Sequence, residues 1–361
     1  MTKIFIDGSA GTTGLQIHER LKARKDITLL KLNEDERKNL DARKKFLNEA
    51  DIVFLCLPDS AAVEAVSLVE NNHTVVIDTS TAHRTSEGWA YGMPELANAR
   101  EKIKNSKRIA NPGCHASGFI ALVAPLVENN LISPEEKLTA FSITGYSGGG
   151  KKMIAEYQNP QRNILFNAPR QYALTQTHKH LPEMTKLCGL KHAPVFCPIV
   201  ADFYSGMEVT VALHNVNLGQ IKEVYKAYYS QGGLIKFDVP EGNVNSKTSK
   251  EVYNAYYSQG GLINLDGPEG NVNSKTNQEG YNASYSREGL IKFNDSENDE
   301  GGFLSASAFS GRDDMEITVQ GNDERCLLIS RFDNLGKGAS GAAVQNMNLI
   351  MGINEFTGLN V

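Results

Sequence analysis

Three stretches hold residues whose types and spacing suit chemistry. NPGCHASGFI (111–120) sets Cys114 behind Pro112 and Gly113 and ahead of an apolar run. That position predicts a helix start, whose unpaired N–H groups and partial positive charge favour thiolate over thiol. HKHLPE (178–183) offers His178 and His180, which share a face if the backbone is extended. Pro182 suits the first turn of a following helix, and Glu183 stands close enough to orient an imidazole. GSAGTTG (8–14) spaces Gly8, Gly11 and Gly14 between a short apolar run and an amphipathic one. Glycines there allow a tight turn and a close backbone approach to a phosphate. Each stretch also has a plainer reading: a small buried hydrophobe, two surface histidines, an ordinary turn. A histidine pair is also a metal motif, but no third group of ligand-type residues accompanies it, so no metal is expected.

Taken together, the three point to one reaction type. A thiolate attacks an acyl carbon, a thioester forms, and hydride passes to or from nicotinamide. A histidine gives or takes the proton on the oxygen. The choice of dinucleotide stays open at this point. In NEDERK (33–38), Glu34 suits a ribose 2′-hydroxyl, whereas Arg37 or Lys38 suits a 2′-phosphate.

The elements that must position these residues read as two kinds of texture. KIFID (3–7), ITLLKLN (27–33), DIVFLCLP (51–58) and HTVVIDTS (73–80) are short apolar runs, with helical patterns at 15–25 and 61–71. Strand–helix alternation predicts a doubly wound parallel sheet, with ligand at the carboxyl ends of its strands. From about Ser133, KLTAFSITGYS, APVFCPIVADFY and MEVTVALHNVN are longer and β-branched, which predicts a second domain with a mixed or antiparallel sheet. DNLGKGASGAAVQNMNLIMG (333–352) runs from a glycine-rich loop into an apolar helix.

Composition narrows the classes. The 361 residues carry a formal net charge of −5, so no basic nucleic-acid face is expected. Five scattered cysteines without a CxxC pair point to a reducing, cytoplasmic setting. The opening MTKIFIDGSAG has too short an apolar run for a signal peptide, and FIALVAPLV (119–127) is too short for a membrane span.

An internal repeat interrupts the second half. Residues 222–249 recur as 250–277, matching at 23 of 28 positions, and a decayed third copy begins at Gln278. Eight of the 13 tyrosines lie in these copies. Near-identity confined to one stretch reads as a tandem duplication inside one domain rather than a solenoid.

The chain resembles the N-acetyl-γ-glutamyl-phosphate reductases, in their shorter form. IDGSAGTTGLQI, DTSTAHR, YGMPEL, NPGC, GYSGGGK, HKHLPEM and DNLGKGASGAAVQN carry the resemblance in order, over about residues 1–221 and 300–352. The resemblance implies a Rossmann-type NADP-binding domain (1–113 plus 333–361) and an α+β catalytic and oligomerisation domain (114–332) containing the repeats. It implies Cys114 as nucleophile, His180 as acid and base, and Glu183 as its partner. Arg84, Ser147, Lys151 and His178 would surround the acyl phosphate substrate or its carboxylate. Gly8, Gly11, Thr12, Thr13 and Gly14 would hold the NADP(H) pyrophosphate, with Asn334, Gly336 and Gln345 near the nicotinamide. It further implies a homo-oligomer. His115-Ala116-Ser117 departs from the Tyr-Pro that often follows the nucleophile, and the extra repeats depart from a single unit.

Overall fold

Two sheets organise the chain. A computed structural model describes residues 1–33, 35–37, 39–229, 290–294 and 302–361. The first sheet holds β1 (Thr2–Asp7), β2 (Ile27–Leu30), β3 (Ile52–Leu55), β4 (Val75–Asp78), β5 (Ala90–Tyr91) and β6 (Arg108–Ala110). Their order is β2-β1-β3-β4-β6-β5, and every pairing is parallel. Residues of β3 and β4 are buried throughout, as strands covered on both faces must be. The strand order reverses between β1 and β3, and the carboxyl ends of strands at such a switch point frame a ligand crevice.

Helices α1 (Thr12–Leu21), α2 (Leu40–Glu49), α3 (Asp59–Ser67) and α4 (Ala99–Asn105) connect these strands. Sequence periodicity misses α2, because LDARKKFLNE is mostly polar and only Arg43 and Leu47 are buried. Its start is nevertheless written locally, since the Asn39 side chain accepts the Ala42 N–H at 3.0 Å. Arg43 explains the helix's placement: it donates to Asp7 Oδ2 at 2.9 and 3.1 Å and to Glu64 at 2.9 Å. Asp7 is the residue before Gly8, so α2 braces the end of β1.

The second sheet is mixed, in the order β11-β12-β13-β10-β7-β9-β8. Its strands are β7 (Thr139–Gly145), β8 (Arg170–Gln171), β9 (Val195–Ala201), β10 (Met207–His214), β11 (Ile291–Phe293), β12 (Met315–Gly321) and β13 (Arg325–Phe332). Against it packs α5 (Cys114–Glu128), whose residues 115–126 are all buried. A helix apolar on all sides needs cover on all sides; Val209, Phe332, Met184 and Tyr225 share its core. The last helix, α9 (Gly341–Ile350), buries Ala343, Val344 and Met347 in one cluster with Ile4, Ile17 and Ile77 of the first sheet's layer.

Of the repeated stretch, only residues 222–229 and 290–294 are described; the second copy lies outside the described residues. Helix α8 (Leu218–Tyr229) comes from the first copy and β11 from the third. They pack together, and β11 pairs in parallel with β12. Tyr225 and Tyr229 donate to the carbonyls of Leu122 and Ala121 on α5, at 2.5 and 2.6 Å. Tyr228 donates to Glu128 at 3.0 Å and accepts the Ala97 N–H. The tyrosines of this copy are thus anchors of one helix face.

Candidate active site

Cys114 is the first residue of α5, and Gly113 is its N-cap in extended conformation. A side chain at 113 would force three neighbouring side chains to shift. A β-carbon there would stand 2.5 Å from His180 Nε2 and 2.6 Å from Glu183 Oε1, and would collide with Arg84 Nη1. Three polar groups therefore converge on the backbone one residue before the thiol. On the other side Gly338, in the π-helical turn before α9, approaches so closely that its β-carbon would lie 2.9 Å from that of Cys114.

Glu183 lies on α7 (Leu181–Leu187), for which His180 is the N-cap and Pro182 sits in the first turn. Its carboxylate accepts from Arg84 Nη1 at 2.8 Å, Tyr91 Oη at 2.9 Å and Gly113 N at 3.2 Å. His180 Nε2 stands 3.9 Å from it. Burial raises the Glu183 pKa against the pull of Arg84. Burial, then the Arg84 charge, holds His180 well below the usual imidazole range, so the ring is neutral. Its buried Nδ1 has no hydrogen-bond partner among the described residues.

Residues 178–180 turn into α7 rather than running extended. The two histidines still meet, because His180 N donates to His178 Nδ1 at 3.2 Å and the rings stand edge-on at 4.7 Å. Burial pushes His178 down to about 4. His115, which spacing alone did not single out as a site residue, completes the cluster. Its Nδ1 lies 2.7 Å from Ser142 Oγ, its Nε2 lies 2.6 Å from Tyr172 Oη, and burial pushes its pKa down to about 3. These contacts span 27 and 57 residues, which no local pattern reveals.

The helix start does not by itself give a resting thiolate. Burial raises the Cys114 pKa; Arg84 and the His115 N–H oppose it. Two other thiols lack that opposition from a cation: burial takes Cys56 to about 12 and Cys188 well above the ordinary value.

A cleft of about 290 Å³ opens at the switch point of the first sheet. Gly11, Thr12 and Thr13 line it after β1, and Cys56 to Asp59 line it after β3. Gly8 takes φ +89°, and a β-carbon at Gly14 would stand 2.5 Å from the Gly8 carbonyl. The loop thus has the bare, tightly turned backbone that a dinucleotide pyrophosphate needs. Thr79 to Thr81, Ser147, Gly148, Gly150, Leu335 and Lys179 close the other walls. Lys179 is a cleft residue that the motifs did not single out, although it stands between the two histidines.

The remaining expected site residues divide. Buried Ser147 accepts from Asn334 Nδ2 at 3.0 Å, and Asn334 in turn accepts the Gly206 N–H at 2.9 Å. Lys151, on α6 (Gly150–Gln158), is exposed and is not among the residues that line the cleft. Arg84 is turned inward, donating to the carbonyls of Thr79 and Asn111 as well as to Glu183. Gly336 allows close passage of the Arg312 carbonyl. Gln345 is absorbed in a buried network, bonding Lys337, Glu95 and Glu355. Of the residues that would choose between ribose hydroxyl and phosphate, Glu34 and Lys38 lie outside the described residues, and Arg37 is exposed.

Residues 3–106 match the family described as semialdehyde dehydrogenase, NAD binding domain, and residues 114–257 match the semialdehyde dehydrogenase, dimerisation domain. Among solved structures, aspartate semialdehyde dehydrogenase II of Vibrio cholerae has a TM-score of 0.62 at 14% identity, over 97% of this chain and 98% of that one. The enzyme of Candida albicans, solved with NADP, has a TM-score of 0.59 at 13% identity, over 97% and 98%. These two likenesses establish the fold. Closer relatives include N-acetyl-γ-glutamyl-phosphate reductase 2 of Nostoc, 38% identical over 99% of both chains. The reductase of Chelativorans is 41% identical over 97% of this chain and 98% of its own. With a thiol, an imidazole and a carboxylate gathered beside a dinucleotide cleft, the chain is an oxidoreductase that belongs to the N-acetyl-γ-glutamyl-phosphate reductase family.

Proposed function

We propose that the chain reduces N-acetyl-γ-glutamyl phosphate to N-acetylglutamate 5-semialdehyde and phosphate, using NADPH, as a cytoplasmic step of arginine biosynthesis. The observation that carries this reading is the convergence of Arg84, His180 and Glu183 on Gly113, directly before Cys114. Neutral His180 takes the Cys114 proton as substrate enters. The thiolate attacks the acyl carbon, the bond to the phosphate oxygen breaks, and a thioester with Cys114 remains. NADPH, held by Gly8, Gly11, Thr12, Thr13 and Gly14, supplies the hydride when bound. Protonated His180 returns its proton to the oxygen that becomes negative, and collapse of the hemithioacetal frees aldehyde and thiol. Glu183, anchored by Arg84 and Tyr91, stabilises the charged imidazole and holds the helix start in place.

Ser147, Lys151 and His178 border the space where substrate lies, and Asn334 and Gly336 shape the nicotinamide end through Ser147 and the Arg312 approach. The dinucleotide domain comprises residues 1–113 with 333–361, and the catalytic domain comprises 114–332 and forms the homo-oligomer. The 28-residue unit is a tandem duplication of which one helix and one strand suffice.

Phosphate-dependent reduction of NADP⁺ with N-acetylglutamate semialdehyde tests this. Turnover should be at least about 100-fold more efficient than with aspartate semialdehyde, which lacks the acetyl group and is one methylene shorter. Preference for aspartate semialdehyde would overturn the assignment.

A further inference from the structure

Lys179 is the one lysine, arginine or histidine that lines the cleft of about 290 Å³ among the described residues. It is exposed, whereas His180 beside it is buried. Among the described residues it makes no ion pair within 4.0 Å with the acidic residue of the same cleft, although its charge is among the causes that lower that residue's pKa. That residue, Asp59, accepts the N–H and hydroxyl of Thr81 at 2.9 and 2.5 Å. Arg84, the other cation near the thiol, is committed to Thr79, Asn111 and Glu183, with its side chain only 8% exposed. Lys179 shares the cleft walls with Ser147, Gly148 and Gly150. Its charge reaches Cys114, His178 and His180, lowering the pKa of each.

We propose that Lys179 binds the phosphoryl group that the reaction exchanges, the acyl phosphate in reduction and inorganic phosphate in the reverse direction. The inference rests on the reaction assigned above. An ammonium on a flexible tether suits a phosphate that must arrive and leave, because it holds it as a point charge without the two-pronged geometry of arginine. The cofactor's own phosphates present the same chemistry, so the test must separate the two.

The experiment measures NADP⁺ reduction with N-acetylglutamate semialdehyde at varied inorganic phosphate, for the wild type, Lys179→Met and Lys179→Arg. NADP⁺ affinity is titrated separately by protein fluorescence. Loss of one charge-assisted contact should raise the KM for phosphate in Lys179→Met about tenfold or more. Lys179→Arg should recover part of it, and the Kd for NADP⁺ should stay within about twofold. An unchanged KM for phosphate overturns the proposal, as does a weakened Kd for NADP⁺ at unchanged KM. If Lys179→Met turns over too slowly, phosphate protection of Cys114 from iodoacetamide reads the same site: lost protection supports the proposal and retained protection overturns it. A wild type without any phosphate-dependent turnover would instead sink the assigned reaction, and this inference with it.

Discussion

Glu183 accepts the N–H of Gly113 at 3.2 Å, so the carboxylate that neighbours His180 also holds the backbone one residue before Cys114. A single side chain thereby couples the position of the imidazole to that of the thiol. Replacing that carboxylate by an amide, in Glu183→Gln, leaves the 8%-exposed Arg84 without its counter-charge. Breaking one half of a buried pair costs about 3 kcal/mol or more. Urea unfolding of Glu183→Gln should show that loss, with kcat reduced at least about 100-fold. A variant of wild-type stability would mean the pair is solvated.

Gly113→Ala tests the same convergence from the backbone side. Its methyl group has no room between His180 Nε2 and Glu183 Oε1, 2.5 and 2.6 Å away. Displacing the site by about 1 Å is expected to lower kcat by about 100-fold. Near-normal kinetics in Gly113→Ala would show that the three groups do not meet there.

His115 predicts a pH dependence of stability. Folded, it stays neutral until about pH 3, whereas the unfolded ring takes a proton near its ordinary value of 6.5. Between those values the unfolded state binds more protons, so stability falls as pH drops, by up to about 1.4 kcal/mol per unit from this one group. His115→Gln removes the contribution. The stability gap between wild type and variant, followed by denaturant titration, should therefore narrow from pH 7 to pH 5. A constant gap would contradict a buried neutral ring.

The repeats yield two deletions of equal length with different outcomes. Removing 230–285 joins α8 of the first copy to β11 of the third and keeps Tyr225, Tyr228 and Tyr229. Removing 222–277 replaces most of α8 by the third copy, in which Gly280 stands for Val224 and Ser284 for Tyr228. The first deletion should hold the melting temperature within a few degrees. The second should lower it by about 10 °C, for a lost aromatic anchor and a mid-helix glycine. Equal retention of stability by the two would show that the α8 contacts do not matter. Collapse of both would show that a single copy is insufficient.

Much of the site is legible in the sequence because it is punctuated locally. Gly8, Gly11 and Gly14 mark a turn that only bare backbone can make, and Pro112-Gly113 announces the helix that Cys114 begins. Strand–helix alternation announces the parallel sheet. The rest depends on contacts between distant residues. Arg43 reaches Asp7 over 36 positions, and His115 reaches Tyr172 over 57. Neither leaves a periodic trace. Arg84 and Gln345 belong with them: Arg84 donates to Glu183 across 99 positions, and Gln345 donates to Glu95 across 250. Lys179 was readable in type and place, yet only its position in the cleft wall singles it out among exposed lysines.

The thioester route is tested most directly by comparing wild type and Cys114→Ala in phosphate-dependent reduction of NADP⁺ by N-acetylglutamate semialdehyde, with NADP⁺ binding measured in both. Robust turnover is expected in the wild type, with a loss of about 1,000-fold or more in the variant at equal NADP⁺ affinity. Turnover that survives the loss of the thiol would contradict that route.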